Sequence, residues 1–217
     1  NRKDVLLIIC ASATSWIINK VFKNRGGLHN RVTVRIPLAP FTLKECELYA
    51  KERGLKLSRY QILNLYMVMG GVALYWSLLD KQYSAVQNID QLFFNKDAKL
   101  QGEFNDLYDS LFKHPEAYKS IVVTLGKHLS GLTRQELLKY TAQADNGVFS
   151  DRLEELEDCG FIMKMRAFPK SKKEAIYKLC DNYTIFYFKY IKSNAGIKDF
   201  WTKNFKSQSI KSWSGFS

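Results

Sequence analysis

The apolar residues fall into distinct regimes along the chain. Val5 to Cys10 run without a polar break, and Ala11 to Ser15 turn abruptly small and hydroxylated. A run so short and so apolar predicts a strand buried on both faces, as inside a parallel sheet. Ser12 to Ser15 can cap a following helix whose apolar face is Trp16, Ile17, Val21 and Phe22, and Asn24-Arg25-Gly26-Gly27 ends it. Val32 to Leu38 then alternates apolar and polar, as a half-buried or edge strand does, and Pro37 fits an edge. Strand, helix and strand in that order form a βαβ unit. Its two strands do not make a stable sheet. The chain ahead of the first strand holds only Asn1 to Asp4, so the missing neighbours come from later in the chain or from a longer protein. The second reading is the one followed here.

From Pro40 onward the period is helical. Thr42-Leu43-Lys44-Glu45 is a capping box, and Gly54 stops the helix it opens. Ser58-Arg59-Tyr60-Gln61 is a second box, opening a helix to Gly70-Gly71. A short helix carrying Leu74, Tyr75, Leu78 and Leu79 follows, then helices over 84–94 and 102–112. Pro115 fits a helix N1 position. Gly131 ends that helix, and Thr133-Arg134-Gln135-Glu136, a third box, begins a short one. After the turn Asp145-Asn146-Gly147 comes a helix with Phe149, Leu153 and Leu156 on one face and Gly160 as its stop. Phe161 to Arg166 and Ala175 to Leu179 are strand-like and joined by a basic loop. Three short helices followed by a β-hairpin is the order of a winged helix. Tyr183 to Ile191 predicts an aromatic helix packed on that domain, and Ser193 to Ser217 a basic linker or an arm docked on something absent.

Composition changes this picture in one respect. The 217 residues carry a net charge of +12, which permits contact with nucleic acid or an anionic surface. The charge is unevenly placed. The helix that would enter a DNA major groove holds Asp151, Glu154, Glu155, Glu157 and Asp158, with Asp145 just ahead, against Arg152 alone. Phosphate repulsion makes it a poor reader of duplex. The hairpin instead carries Lys164, Arg166, Lys170, Lys172, Lys173 and Lys178, and the tail Lys189, Lys192, Lys198, Lys203, Lys206 and Lys211. Contact through the wing and the basic tail would be non-specific and salt-dependent. A solvated basic wing on a domain used for protein contact is the competing reading.

Cys10, Cys46, Cys159 and Cys180 form no C-x-x-C pair and the three histidines are isolated, so no metal site is expected. Reduced thiols of a cytoplasmic protein are the better expectation. Arg2-Lys3 ahead of an apolar run and Ala11-Ser12-Ala13 imitate a secretory signal, but the run is at the short limit for one. No window reaches the ~18 apolar residues of a membrane-spanning helix.

Several segments, in their order, resemble prokaryotic ATPases of the AAA+/STAND type (the archaeal-type ATPase family) with a C-terminal winged helix. Cys10-Ala11-Ser12-Ala13 stands where that family has a strand ending Cys-Gly-Ser-Ala, Asn30-Arg31 where it has a Gly-Arg turn, and Leu38-Ala39-Pro40-Phe41 where it has Leu-x-Pro-Phe. Gly70 to Tyr75 stands in place of the lid motif Gly-Gly-x-Pro-x-Tyr. Asn88-Ile89 with Leu92-Phe93-Phe94, and Tyr177-Lys178-Leu179 with Asp181 and Phe186, look like later landmarks. Ala11 for glycine and Ala73 for the lid proline are departures, and the latter puts the lid's contact with nucleotide in doubt. The sequence also has no G-x-x-x-x-G-K-[ST] loop and no strand ending in paired acids, which in the family lie upstream of the first strand.

The resemblance implies a mostly α protein with a small β component: the remnant of a parallel P-loop NTPase sheet over 1–40, a helical lid over 41–112, a winged helix over 113–182, and an aromatic helix with basic tail over 183–217. Intact, the protein would bind ATP and Mg²⁺, couple binding to rearrangement of lid and winged helix, and could form homo-oligomers. This chain alone would be inactive. Ser12 or Thr14 would take the first sensor position, or simply cap a helix. Arg31 would neutralise phosphate charge, or is a surface arginine beside Arg25 and Arg35. Gly70 and Gly71 would let the lid backbone approach nucleotide, or are helix breakers. Ser214-Gly215-Phe216-Ser217 looks like the junction to a nuclease-like domain. The alternative is a non-enzymatic winged-helix module that binds DNA or protein, with residues 1–110 as a helical partner-binding domain.

Overall fold

The computed structural model describes residues 6, 8, 33, 34, 36, 38–166 and 175–207. The described chain is mostly α-helical with a small antiparallel sheet. The parallel strands expected over 1–40 lie largely outside the described residues. Leu6 and Ile8, from the first of them, are 83% and 74% exposed, and Val34, Ile36 and Leu38 from the second are equally uncovered.

Helices start where side chains can satisfy the free N–H groups of a first turn. At α1 (Leu43–Glu52), Thr42 Oγ1 accepts from the Glu45 N–H at 3.3 Å, while the Glu45 carboxylate accepts from the Thr42 N–H at 2.7 Å. The same reciprocal pair, Ser58 with Gln61, opens α2 (Arg59–Met69). α3 spans Ala73–Ser77. A further capping box, Ser84 with Gln87, opens α4 (Ala85–Ile89), which widens into a π-helical turn over Asp90–Phe94. α5 (Glu103–Leu111) follows.

The next stretch runs α6 (Pro115–Lys127), β1 (Leu132–Thr133), α7 (Arg134–Thr141), α8 (Gly147–Asp158), β2 (Ile162–Met165) and β3 (Ile176–Leu179), three helices and then a hairpin. Pro115 stands in the first turn of α6, Thr133 with Glu136 boxes α7, and Asn146 caps α8 by accepting from the Phe149 N–H at 3.1 Å. The sheet order is β1-β3-β2, all antiparallel, with Ile162 opposite Leu179 and Thr133 opposite Ile176. β1, only two residues long, is not legible in the sequence pattern. Its placement requires Gly131 at φ 95°, with Ile176 Cγ2 only 2.5 Å from where a Cβ would stand.

α9 (Asn182–Phe186) continues into a second π-helical turn, Tyr187–Ile191, then α10 (Lys192–Asn194) and α11 (Phe200–Asn204). Two expectations change here. The aromatic helix packs on α2 of the helical region as well as on α6, because its rings meet partners on both sides. Phe93 lies 5.9 Å from Tyr183 and Phe104 stacks on Tyr187 at 4.3 Å. The described part of the tail is not an arm reaching for something absent. α11 docks on this chain, with Trp201 buried and stacked on Phe94 at 6.0 Å. One apolar cluster runs unbroken from Cys46 on α1 to Trp201 on α11.

Candidate functional site

Three sequence segments far apart in the chain converge at the C-terminal end of α2. Gly70 has φ 61° and ψ −154°, a combination open in practice to glycine alone. That turn throws the chain sideways, so that Gly71 O accepts from the Phe41 N–H at 2.8 Å. The approach is so close that a Cβ on Gly71 would stand 1.8 Å from Phe41 O. Gly70 O accepts from Trp76 Nε1 at 2.8 Å, which fixes the fully buried indole under the turn.

The third segment enters from the far side. Asn182 Nδ2 donates to Tyr66 O at 2.9 Å, and Gly70 N–H donates to the same carbonyl at 2.7 Å. Asn182, three positions past the end of β3, thus caps the end of α2 with its side chain. Its neighbour Asp181 caps α9, accepting from the Thr184 N–H at 2.7 Å. Burial pushes the Asp181 carboxyl above the ordinary range, while its hydrogen bonds to Thr184 and Tyr183 pull the other way. Tyr75 of α3 packs its ring 5.6 Å from Tyr183 and donates to Glu103 at 2.7 Å. Burial, then the Glu103 carboxylate, drive the Tyr75 phenol far above the usual tyrosine range. The arrangement is a joint. The segment arriving from residues 38–41, the helices over 43–111 and the chain leaving β3 are tied at one point.

The site residues expected from the sequence fare unequally. Ser12, Thr14, Arg31, Lys170, Lys172 and Lys173 lie outside the described residues. Gly70 and Gly71 sit at the joint, where Gly71 serves the close approach of Phe41. Ala73, in place of the lid proline, is the first residue of α3, a position where proline and alanine both start a helix. The departure therefore leaves the local backbone intact.

Lys164 and Arg166 lie in the hairpin, apart from the joint. Lys164 is opposite Tyr177, and its Nζ sits 5.5 Å from the centre of that ring. Met163, Met165 and Ile176 fill the opposite face of the hairpin, half exposed. Arg166 is exposed just past the end of β2. On α8, Glu155 accepts from Tyr118 and Glu157 from the Lys164 N–H, while Asp151, Glu154 and Asp158 face outward.

Two buried polar residues have structural roles that the sequence did not reveal. Asn88, in a segment that resembles a family landmark, knits its loop. Its Nδ2 donates to Asp80 O, Tyr83 O and Ser84 O at 3.0–3.1 Å, and its Oδ1 accepts from the Asp80 N–H at 2.8 Å. Asp90, 1% exposed, accepts from Trp201 N–H, Thr202 N–H and Thr202 Oγ1 at 2.6–2.9 Å, and so supplies the cap that α11 lacks. Nothing local signals this, since Asp90 and Trp201 are 111 positions apart. A groove of about 840 Å³ lies between α2, α4 and α11, away from the joint, with Tyr60, Asn64, Val86, Trp201, Phe205 and Lys206 along it.

Comparison with known proteins adds little to this geometry. No family model matches the chain, and no solved structure matches it. It is 26% identical over 200 residues to an uncharacterized protein of Methanocaldococcus jannaschii, an alignment covering 87% of this chain and 41% of that protein. The chain therefore spans less than half the length of this relative. Among the described residues no helix is long and apolar enough to cross a membrane.

Proposed function

We propose that the chain is part of a P-loop nucleotide-driven switch protein. More particularly, it is the C-terminal part of an AAA+/STAND-type ATPase: the last strands of the nucleotide domain, the helical lid and a winged helix. One observation carries this reading. Three of the segments that resemble family landmarks, Leu38 to Phe41, Gly70 to Tyr75 and Tyr177 to Phe186, meet at a single joint through Phe41, Gly71 and Asn182. A joint of that kind suits a molecule in which a lid reports to a winged helix. Movement of the segment at 38–41 is delivered to Gly71 by backbone, and to Asn182 through the end of α2.

In the intact cytoplasmic protein, a P-loop elsewhere would hold ATP and Mg²⁺, and its lysine would neutralise phosphate charge. Ser12 or Thr14 would sense the γ-phosphate and Arg31 would offer a guanidinium, in the same subunit or a neighbour of a homo-oligomer. This chain alone would bind no nucleotide productively. The test is nucleotide binding by the uninterrupted reading frame beside the 217-residue chain. Binding by the former and none by the latter is expected. ATP hydrolysis by the chain alone would overturn the reading.

The winged-helix order also supports a second reading, a non-enzymatic module contacting DNA or protein. Its nucleic-acid surface would be the wing, through Arg166, Lys170, Lys172 and Lys173 with Lys164 behind, together with the basic tail, while the outward carboxylates of α8 repel phosphate.

A further inference from the structure

At the end of α3 opposite Gly71, a cavity of about 460 Å³ opens among three segments of the chain. Arg53 at the end of α1, the stretch Ser77 to Lys81 that closes α3, and Lys99 beyond the π-helical turn Asp90–Phe94 surround it. Leu55 and Leu79, both buried, also line it, so part of its wall is apolar. Among the described lining residues the cations are Arg53, Lys81 and Lys99, and the one carboxylate is Asp80. One oxygen of that carboxylate is already engaged, since Asp80 Oδ1 accepts from the Gln82 N–H at 2.8 Å. Among the described residues none of the three cations forms an ion pair.

The backbone under each cation is braced. Buried Asn88 grips Asp80, the neighbour of Lys81, on both sides: its Oδ1 accepts from the Asp80 N–H at 2.8 Å and its Nδ2 donates to Asp80 O at 3.0 Å. The Lys99 N–H donates to Gln91 O at 3.3 Å and the next residue, Leu100, to Leu92 O at 2.8 Å. Arg53 is oriented as well. Its Nη2 donates to Ser77 O at 3.2 Å and its guanidinium carbon lies 5.9 Å from the centre of the Tyr49 ring. Its Nε and Nη1 groups meet no acceptor among the described residues. Like charges gathered about one cavity repel, and a bound anion relieves that repulsion. A positioned guanidinium with free N–H groups, flanked by two ammonium groups, matches the several acceptor oxygens of a phosphate. We propose that this cavity is a binding site for a small phosphate-bearing anion, with room for more than one phosphoryl group. Cations around a concavity suit a compact anion, whereas a nucleic-acid backbone needs a positive track to follow. The site is separate from Gly70 and Gly71, and it stands whether the chain belongs to an ATPase or to a non-enzymatic module.

The probe is pyrophosphate, titrated into the 217-residue chain at constant ionic strength and followed by backbone amide NMR. Saturable binding below about 10 mM is expected, with the signals of Arg53, residues 77–81 and Lys99 moving. Lys81→Gln and Lys99→Gln, both at exposed positions, should each weaken binding about threefold or more. Arg53→Lys, which keeps the charge and loses the fork, should weaken it too. Lys127→Gln, at an exposed position in the last turn of α6, is the control and should leave binding unchanged. No saturable binding would overturn the proposal. A loss in Lys127→Gln equal to that in the lining variants would also overturn it, by showing general charge attraction only. So would random duplex DNA that displaces pyrophosphate and loses its own affinity in the same lining variants, because the cations would then belong to a nucleic-acid surface.

Discussion

The Phe41 N–H donates to Gly71 O at 2.8 Å, and Phe41 O lies 1.8 Å from the point where a Gly71 Cβ would stand. Two segments thirty residues apart are thus held backbone to backbone, and no side chain fits between them. Gly71→Ala must push the 38–41 segment off the end of α2, at a cost of about 1–3 kcal/mol. Gly54→Ala is the natural comparison. Gly54 has φ 69° but nothing within 4 Å of its Cβ position, so it carries only the backbone cost of about 1 kcal/mol. Urea unfolding should rank Gly71→Ala as the more damaging.

Asp90 holds α11 from 111 positions away. Asp90→Ala would leave two N–H groups and the Thr202 hydroxyl without an acceptor, at a cost of about 3 kcal/mol for bonds to a charged group. Asp90→Asn keeps one acceptor oxygen and should fall between. The optical signature is Trp201: its emission should shift to the red in Asp90→Ala at denaturant concentrations where the rest of the chain stays folded.

Asp181 gives a pH dependence of known sign. Burial raises its folded-state pKa above the ordinary carboxylate value, so the folded chain holds this proton more tightly than the unfolded chain. Its contribution to stability is full below the unfolded pKa near 4 and is lost as pH rises through the folded value. Asn mimics the protonated form and also caps helices. Asp181→Asn should therefore match the parent near pH 4 and exceed it at pH 7, measured as unfolding midpoints. A variant weaker than the parent at pH 7 would refute the assignment.

The β2–β3 hairpin can be divided residue by residue. Lys164 spends part of its reach on the Tyr177 ring, whereas Arg166 is exposed just past the end of β2. If random duplex is bound, filter binding at low salt should weaken more with Arg166→Ala than with Lys164→Ala, and all binding should fall steeply with salt. Equal losses, or binding indifferent to salt, would rule out the wing as the surface.

What was legible in the sequence was whatever is decided locally. Thr42 with Glu45, Ser58 with Gln61 and Thr133 with Glu136 mark helix starts because each box closes within four residues, and all three close as read. Glycines at 54, 70, 131 and 160 mark stops, and each has positive φ. What escaped is decided at a distance. β1 exists only because β3 returns to it. The π-helical turns at Asp90–Phe94 and Tyr187–Ile191 share with α-helices the apolar spacing that a pattern detects. Asp90 and Asn182 look like ordinary polar residues until Thr202 and Tyr66 are brought to them. The motif names Gly70 and Gly71 as lid residues, but it gives no sign of the close approach of Phe41 that Gly71 allows.

The coding sequence upstream of Asn1 tests the central claim most directly. The expected result is an open frame carrying a G-x-x-x-x-G-K-[ST] loop, then a hydrophobic strand ending in paired acids. A start codon with a ribosome-binding site immediately ahead of Asn1, and no such loop in frame, would contradict it and leave the non-enzymatic winged-helix module as the better account.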